Sequence, residues 1–265
     1  MLLKISHQTT YQFDNPVNYG LQQLRLTPKS SSTQNVVEWH NSVEGGIKEL
    51  SYKDHHNNDV ELISFSKDTK EIVIKNEGVV KIDNHNGVSG YHNSPSPLWL
   101  YKKQSKRTEI NASIKKLSKE LKCNEPIELM HELLIKINNV LKYEINSSDP
   151  TWTAQNALEA KKGVCQDFAH LFISCARNIG YPARYVSGYL MLNHSSNQSA
   201  MHAWCEVFID HLGWVGFDAS NKICPDNNYI PVAYGFDYED AAPIIGTRIG
   251  GNDESLNVEI EICEQ

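Results

Sequence analysis

No Cys-x-x-Cys pair occurs in this 265-residue chain, although it holds six cysteines, at positions 123, 165, 175, 205, 224 and 263. A structural zinc site needs cysteines or histidines paired at short spacing. His55–His56 is the sole adjacent histidine pair, and it lies in KDHHNNDV, a polar turn. No metal and no cofactor is therefore expected. The Asp-x-Asp-x-Asp-Gly run of a calcium loop is missing too. No segment approaches the roughly 20 apolar residues of a membrane span, so no membrane partner is expected. An excess of positive charge is also lacking. The net charge is −7, with acidic and basic residues interspersed, which argues against a nucleic-acid or anionic-membrane footprint. The opening MLLKISHQTTYQF lacks the apolar core and small-residue cleavage site of a secretory signal. The expected location is cytoplasmic, where a disulfide framework is not expected.

What is present is 40% hydrophobic residues, enough for a proper core in one large or two ordinary domains. The pattern changes near residue 97. Before it, LKISHQTTYQF, LQQLRLTP, NVVEWHNSV, KELSYKD, VELISFS and EIVIKN are short, partly alternating runs separated by polar and glycine-rich turns. They predict an antiparallel β-sandwich or open barrel over residues 1–97. Its histidines (7, 40, 55, 56, 85 and 92) read as scattered surface or turn residues. YHNSPSPLW reads as a linker. RTEINASIKKLSKELK and PIELMHELLIKINNVLKY then space apolar residues three and four apart, predicting two amphipathic helices. AQNALEAK predicts a short third helix. A fourth runs from Cys165 to about Ile179, stopped by Gly180 and Pro182, with Phe168, Phe172, Cys175, Ala176 and Ile179 on one stripe. ARYVSGYLML, HAWCEVFI and GWVGFD predict strands, ICPDNNYIPVAYGFDYEDAAPIIG reads as loop-rich, and LNVEIEIC as a closing strand. The fold class is α+β, with a core domain over 98–250 and a terminal strand over 251–265.

Cys165 falls at the first turn of the fourth helix, where unpaired N–H groups and the helix dipole favour a thiolate. A cysteine nucleophile wants a base and a group that orients the base. His170, His194, His202 and His211 follow it in the chain. His202 opens a strand beside a serine-rich loop and suits the base; the other three read as structural or solvated. Asp218 can orient His202 if both share a face of the hairpin HAWCEVFIDHLGWVGFD. Their numbers sum to 420, so the register constant must be even, whereas a two-residue turn at His211–Leu212 would give 423. Asp218 therefore requires a longer connection or a bulge. Glu206 and Asp210 are the alternative orienters. Cys175 and Cys205 fit core positions. Asp167, two residues from Cys165, disfavours a second anion and needs a cationic partner or a capping role.

GVCQDFAHLF, GYPARYVSGYL, HAWCEVFI and GWVGFDASN, in that order, resemble the transglutaminase-like cysteine-protease superfamily. The opening KISHQTTYQFDNPVNYGLQQLRLTP is similar to the β-rich N-terminal domain of its bacterial members, and YIPVAYGFDYEDAAPIIG to their closing segment. The resemblance implies a papain-like α+β core with Cys165 as nucleophile, His202 as general base and then acid, and Asp218 as orienter. It implies a peptide or amide substrate, attacked to form a thioester that water or an amine resolves. The Cys165 N–H is the candidate oxyanion donor, with Gln166 or Trp152 as candidates for a second; Trp204 is a candidate cleft residue. Acyl transfer with the same triad and a non-catalytic peptide-binding module are the alternatives. Two departures stand out. Asp218-Ala219-Ser220-Asn221 replaces the usual D-P-T-N, and Gly235-Phe236-Asp237-Tyr238 replaces Gly-Arg-Asp-Tyr.

Overall fold

The computed structural model describes residues 1–192 and 197–265. The chain opens with β1 (Leu2–Leu24), β2 (Gln34–Glu44), β3 (Gly46–Lys53), β4 (Asp59–Phe65), β5 (Thr69–Ile82) and the short β6 (Val88–Gly90). The two strands expected before residue 29 are one strand of 23 residues. Residues 3–13 of β1 pair with the last strand of the chain, and residues 2–12 pair with β5. Its second half pairs with β4. Pro16 sits where the ladder with β5 breaks, between Gln12 and Val17. Proline lacks an amide donor, so it is tolerated at such an irregularity. Because β1 runs through both halves, β1–β5 join three strands from the second half of the chain in one eight-stranded antiparallel sheet among the described residues, and the hydrogen bonding does not divide it into the two sheets of a sandwich.

The helices follow as the spacing predicts: α1 (Ala112–Lys119), α2 (Pro126–Val140), α3 (Ala154–Ala160) and α4 (Cys165–Asn178). Two-residue strands β7 (Lys142–Tyr143) and β8 (Lys162–Gly163) pair in parallel just before α4. Asn111 caps α1 by accepting from the Ile114 N–H at 2.9 Å, and Pro126 occupies the first turn of α2. α4 ends as expected at Gly180, whose φ of 95° suits glycine, with the Tyr181 N–H returning to the Ala176 carbonyl. One stripe was expected on α4, yet every residue from Asp167 to Arg177 is buried. A helix covered all round is a central element.

After α4 come β9 (Ala183–Leu190), β10 (Asn197–Gln198), β11 (His202–Ile209), β12 (Gly213–Phe217), β13 (Tyr229–Gly235), α5 (Tyr238–Ala241), β14 (Ile244–Gly250) and β15 (Glu254–Glu264). The segment read as loop-rich thus holds β13, α5 and β14. Pro231 and Gly235 obscure its pattern, and β13 tolerates Pro231 because it is an edge strand with a register shift there. The second sheet is antiparallel, in the order β13-β9-β11-β12-β6. Ala203, Cys205, Val207 and Ile209 turn one face of β11 into the core shared with α1–α4. On the other side, Tyr189, Ile230 and Val232 pack with Leu3, Ile5, Val80, Ile260 and Ile262 of the first sheet. β14 and β15 both pair with β1, so the chain's end returns to its beginning. No helix among the described residues is long and apolar enough to cross a membrane.

Gly188 faces His202 across the β9–β11 ladder. A Cβ there would lie 2.3 Å from the Ile230 carbonyl oxygen and 2.5 Å from the Trp204 ring. Gly188→Ala should therefore destabilise the protein by about 1–3 kcal/mol through overpacking, read by urea denaturation. An unchanged midpoint would contradict this close approach.

Candidate active site

Cys165 stands at the N-terminus of α4, half-buried and free. The local sequence explains how it is held. Asp167 turns its Oδ2 back to accept from the Val164 N–H at 2.8 Å. It is 1% exposed, and burial raises its pKa against hydrogen bonds from Ser148, Val164 and its own N–H. The anion beside the thiol is thus a capping group drawn into the turn, which answers the need for a partner. A Cβ on Gly163 would sit 2.6 Å from that carboxylate oxygen, so glycine leaves Asp167 the room to cap.

His202 opens β11, with its side chain 12% exposed. Its Nε2 lies 2.6 Å from Asp218 Oδ2. Cys165 lies near enough for its charge to raise the His202 pKa, and with Asp218 on Nε2 the nitrogen left for the thiol is Nδ1. The register of β11 and β12 resolves the parity question. Paired residues such as Cys205 and Phe217 sum to 422, an even constant. The connection is three residues long, 210–212, with His211 in the left-handed region at φ 70°. His202 and Asp218 therefore share a face. The alternative orienters are engaged or remote: Glu206 Oε2 is 2.6 Å from Arg184 Nη2, and Asp210 is exposed in the turn.

Asp218 is 1% exposed. Besides His202, it accepts from the Ser220 N–H at 2.9 Å, Ser220 Oγ at 2.6 Å, the Asn221 N–H at 3.2 Å, Asn221 Nδ2 at 2.8 Å and the Tyr229 hydroxyl at 2.8 Å. Burial alone would raise its pKa, but the hydrogen bond and charge of His202, with Ser220 and Tyr229, hold it at about 2. Burial alone would lower the pKa of His202; the charge on Cys165 and the Asp218 hydrogen bond override it and raise it to about 10. The ring is stacked beside Trp204, centroids 6.2 Å apart, and Trp204 meets Tyr229 edge-on at 5.3 Å.

The remaining expectations divide. Gln166 spends its amide on the Pro150 carbonyl at 3.2 Å. Trp152 is half-buried and packs against the same core cluster as Cys165. Trp204 is 2% exposed and supports His202 from behind. Cys175 and Cys205 are buried, and burial raises both thiol pKa values. His170 is fully buried and accepts from the Tyr238 N–H. His194 lies outside the described residues. Two N-terminal histidines read as surface or turn residues are buried instead, His7 at 3% and His56 at 2% exposure. Each is enclosed by aromatic partners, Tyr189 for His7 and Tyr101 for His56. Ser220, Asn221 and Tyr229 were not singled out as Asp218 partners. The first two carry a signal, since Asp-x-Ser-Asn is a side-chain-capped turn. Tyr229 carries none, because its role depends on β13 lying beside β9.

Residues 115–219 match the Transglutaminase-like superfamily, and residues 3–81 match the Bacterial transglutaminase-like N-terminal region. The chain thus has a transglutaminase-like core preceded by a bacterial transglutaminase-like N-terminal region. An uncharacterized protein of Mycobacterium leprae is 26% identical over 280 residues, covering 98% of each chain. Another of Mycobacterium bovis is 33% identical over 146 residues, 51% of this chain and 46% of its own length. Among solved structures, a "Putative Cysteine Protease from Cytophaga hutchinsonii" aligns with a TM-score of 0.81 at 22% identity. The alignment covers 99% of this chain and 90% of that one, and it carries the fold.

The two shifted groups bound a pH window. Asp218 stabilises the fold fully above its ordinary 3.8, and that stability is lost as pH falls through about 2. His202 contributes fully below its ordinary 6.5, and that stability is lost as pH rises through about 10. Imidazole NMR should find His202 titrating far above the ordinary range. In Asp218→Asn the midpoint should fall by about one to three pH units. An unchanged midpoint would mean that Asp218 does not set the charge on His202.

Proposed function

We propose that the protein is a cysteine peptidase or amidase that cleaves an amide through a thioester acyl-enzyme. The observation that carries this reading is His202, whose Nε2 is fixed on Asp218 while the charge of Cys165, at a helix N-terminus, helps to raise its pKa. The match of residues 115–219 to the Transglutaminase-like superfamily supports a cysteine-based reaction. The arrangement reads as papain-like, with the nucleophile on a helix start and the histidine on a strand beside it.

The Cys165 thiolate attacks the amide carbonyl carbon, and the oxygen takes up the negative charge. First-turn amides have no carbonyl one turn back to bond, which makes the Cys165 N–H the donor for that oxyanion. Imidazolium His202 then gives its Nδ1 proton to the leaving nitrogen as the C–N bond breaks, and an amine departs. Water enters the thioester, giving a proton to Nδ1, and the C–S bond breaks to release a carboxylic acid. Asp218 keeps its charge throughout and holds the ring in one orientation.

Cys165→Ala should reduce turnover of peptide amides by about 10⁴-fold or more, and Asp218→Asn by roughly 10²–10⁴-fold. A thiol-directed probe at neutral pH should label Cys165 and neither Cys175 nor Cys205. Labelling centred on a buried cysteine would overturn the assignment. Product analysis with and without an added amine separates the outcomes: free acid marks hydrolysis, and a new amide marks acyl transfer. Activity should decline as pH rises toward about 10, where His202 loses the proton it donates.

A further inference from the structure

The turn between β3 and β4 brings His55 and His56 up to Asp240 of α5, and ligand atoms from all three lie within 4.8 Å of one another. His56 and Asp240 are 184 positions apart in the chain. The turn is built to hold its shape. Asp54 accepts from the His56 and Asn58 N–H groups at 2.9 and 2.8 Å and pairs with Arg25 at 3.3 Å, while Asn57 sits at a positive φ of 64°.

The His56 ring meets Tyr101 through Nδ1 and Asp240 through Nε2, and one arrangement of the protons leaves Nε2 as an acceptor. Ser94 Oγ donates to the His55 carbonyl at 3.0 Å, so it accepts from the Tyr101 hydroxyl at 3.3 Å. Tyr101 has then used its proton and accepts from His56 Nδ1–H at 2.9 Å. In neutral His56 the lone pair is therefore on Nε2, and that atom faces Asp240 Oδ2 at 3.2 Å. Oδ2 already accepts from the Phe236 N–H at 2.9 Å. In that arrangement two acceptors face each other in a site where His56 is 2% exposed. A positive species between them satisfies both, and the exposed His55 ring, 4.1 Å from His56 centroid to centroid, supplies a third donor on the solvent side.

We propose that His55, His56 and Asp240 bind a divalent transition-metal cation of the zinc class, tying the β3–β4 turn to the closing segment of the core. Two imidazoles and a carboxylate are a zinc donor set that leaves the fourth position to water. Tetrahedral ligands at zinc distances stand about 3.5 Å apart, close to the 3.2 Å between His56 and Asp240. The outer contacts fit too. Tyr101 orients His56 as a second layer, and the Phe236 ring, 4.6 Å from the His56 ring, covers it with an apolar surface. Phe236 is the residue that replaces the usual arginine, so no cation from that position competes for Asp240.

Chelator-treated full-length protein should be titrated with zinc by calorimetry and with cobalt by absorption, in wild type and in Cys165→Ala. One equivalent should bind in both, and the cobalt spectrum should lack a thiolate charge-transfer band. His55→Ala, at an exposed position, and the near-isosteric Asp240→Asn should each weaken binding by about tenfold or more. Zinc should raise the melting temperature of wild type and not of these variants. Circular dichroism checks that each variant is folded. No binding in wild type would overturn the proposal and leave a shared proton between His56 and Asp240. Binding that persists unchanged in folded His55→Ala and Asp240→Asn, or disappears in Cys165→Ala, would overturn it as well.

Discussion

A carboxylate removed from water must be given donors or become protonated. Asp218 is that carboxylate here, and six donor groups from four residues surround it. They come from the start of β11, the turn after β12, and the start of β13. Those elements all fall within residues 202–235, and they meet only if β13, β9, β11 and β12 pair in the observed order. The donors also divide the work. Ser220 and Asn221 belong to the same turn and fix the carboxylate locally, whereas Tyr229 and His202 tie it to the sheet. A charge-assisted bond to a carboxylate so placed has one geometry, and the imidazole inherits it.

Helix α4 supplies the matching constraint on the sulfur. Its burial from Asp167 to Arg177 leaves it little freedom to shift. Arg177 reinforces this from the far end, donating to the carbonyls of Tyr101, Ala183 and Phe236 and to Thr108 Oγ1. Burial lowers its pKa to about 10, against the nearby charges of Asp237, Asp240 and Tyr101. At the near end, Asp167 caps the loop that leads into Cys165. Both helix ends are thus tied to elements outside the helix, and Cys165 sits on a rigid support.

Where physical signals are local, the sequence is legible. Apolar residues three and four apart predict α1 to α4, and Gly180 marks the end of α4 because it adopts a positive φ. Parity placed His202 and Asp218 on one face under a stated condition, and the three-residue connection meets it. Non-local pairing is what the sequence hides. The 23-residue β1 reads as two strands because the polar DNPVNYG stretch interrupts its alternation, while the ladder partners that carry it through come from four other strands. His7 and His56 look like polar surface residues because nothing beside them in the chain announces Tyr189 or Tyr101. The same holds for Tyr229 on Asp218.

These non-local pairings also bear on what the N-terminal sheet does for the site. Leu3, Ile5, Val80, Ile260 and Ile262 cover Tyr189, Ile230 and Val232, which lie on β9 and β13. His7 Nδ1 adds a hydrogen bond to the Tyr189 hydroxyl at 2.9 Å inside that contact. Removing the first sheet would expose this apolar face of the second and free β13, the strand that begins with Tyr229. The Asp218 hydroxyl contact would then rest on an uncovered edge strand. Hydrogen bonds and charges between side chains hold Asp218 at about 2 in pKa and His202 at about 10, and they act only while those side chains stay fixed. The strands that pack behind β9 and β13 are therefore part of what sets the charge on the imidazole, although none of them touches it.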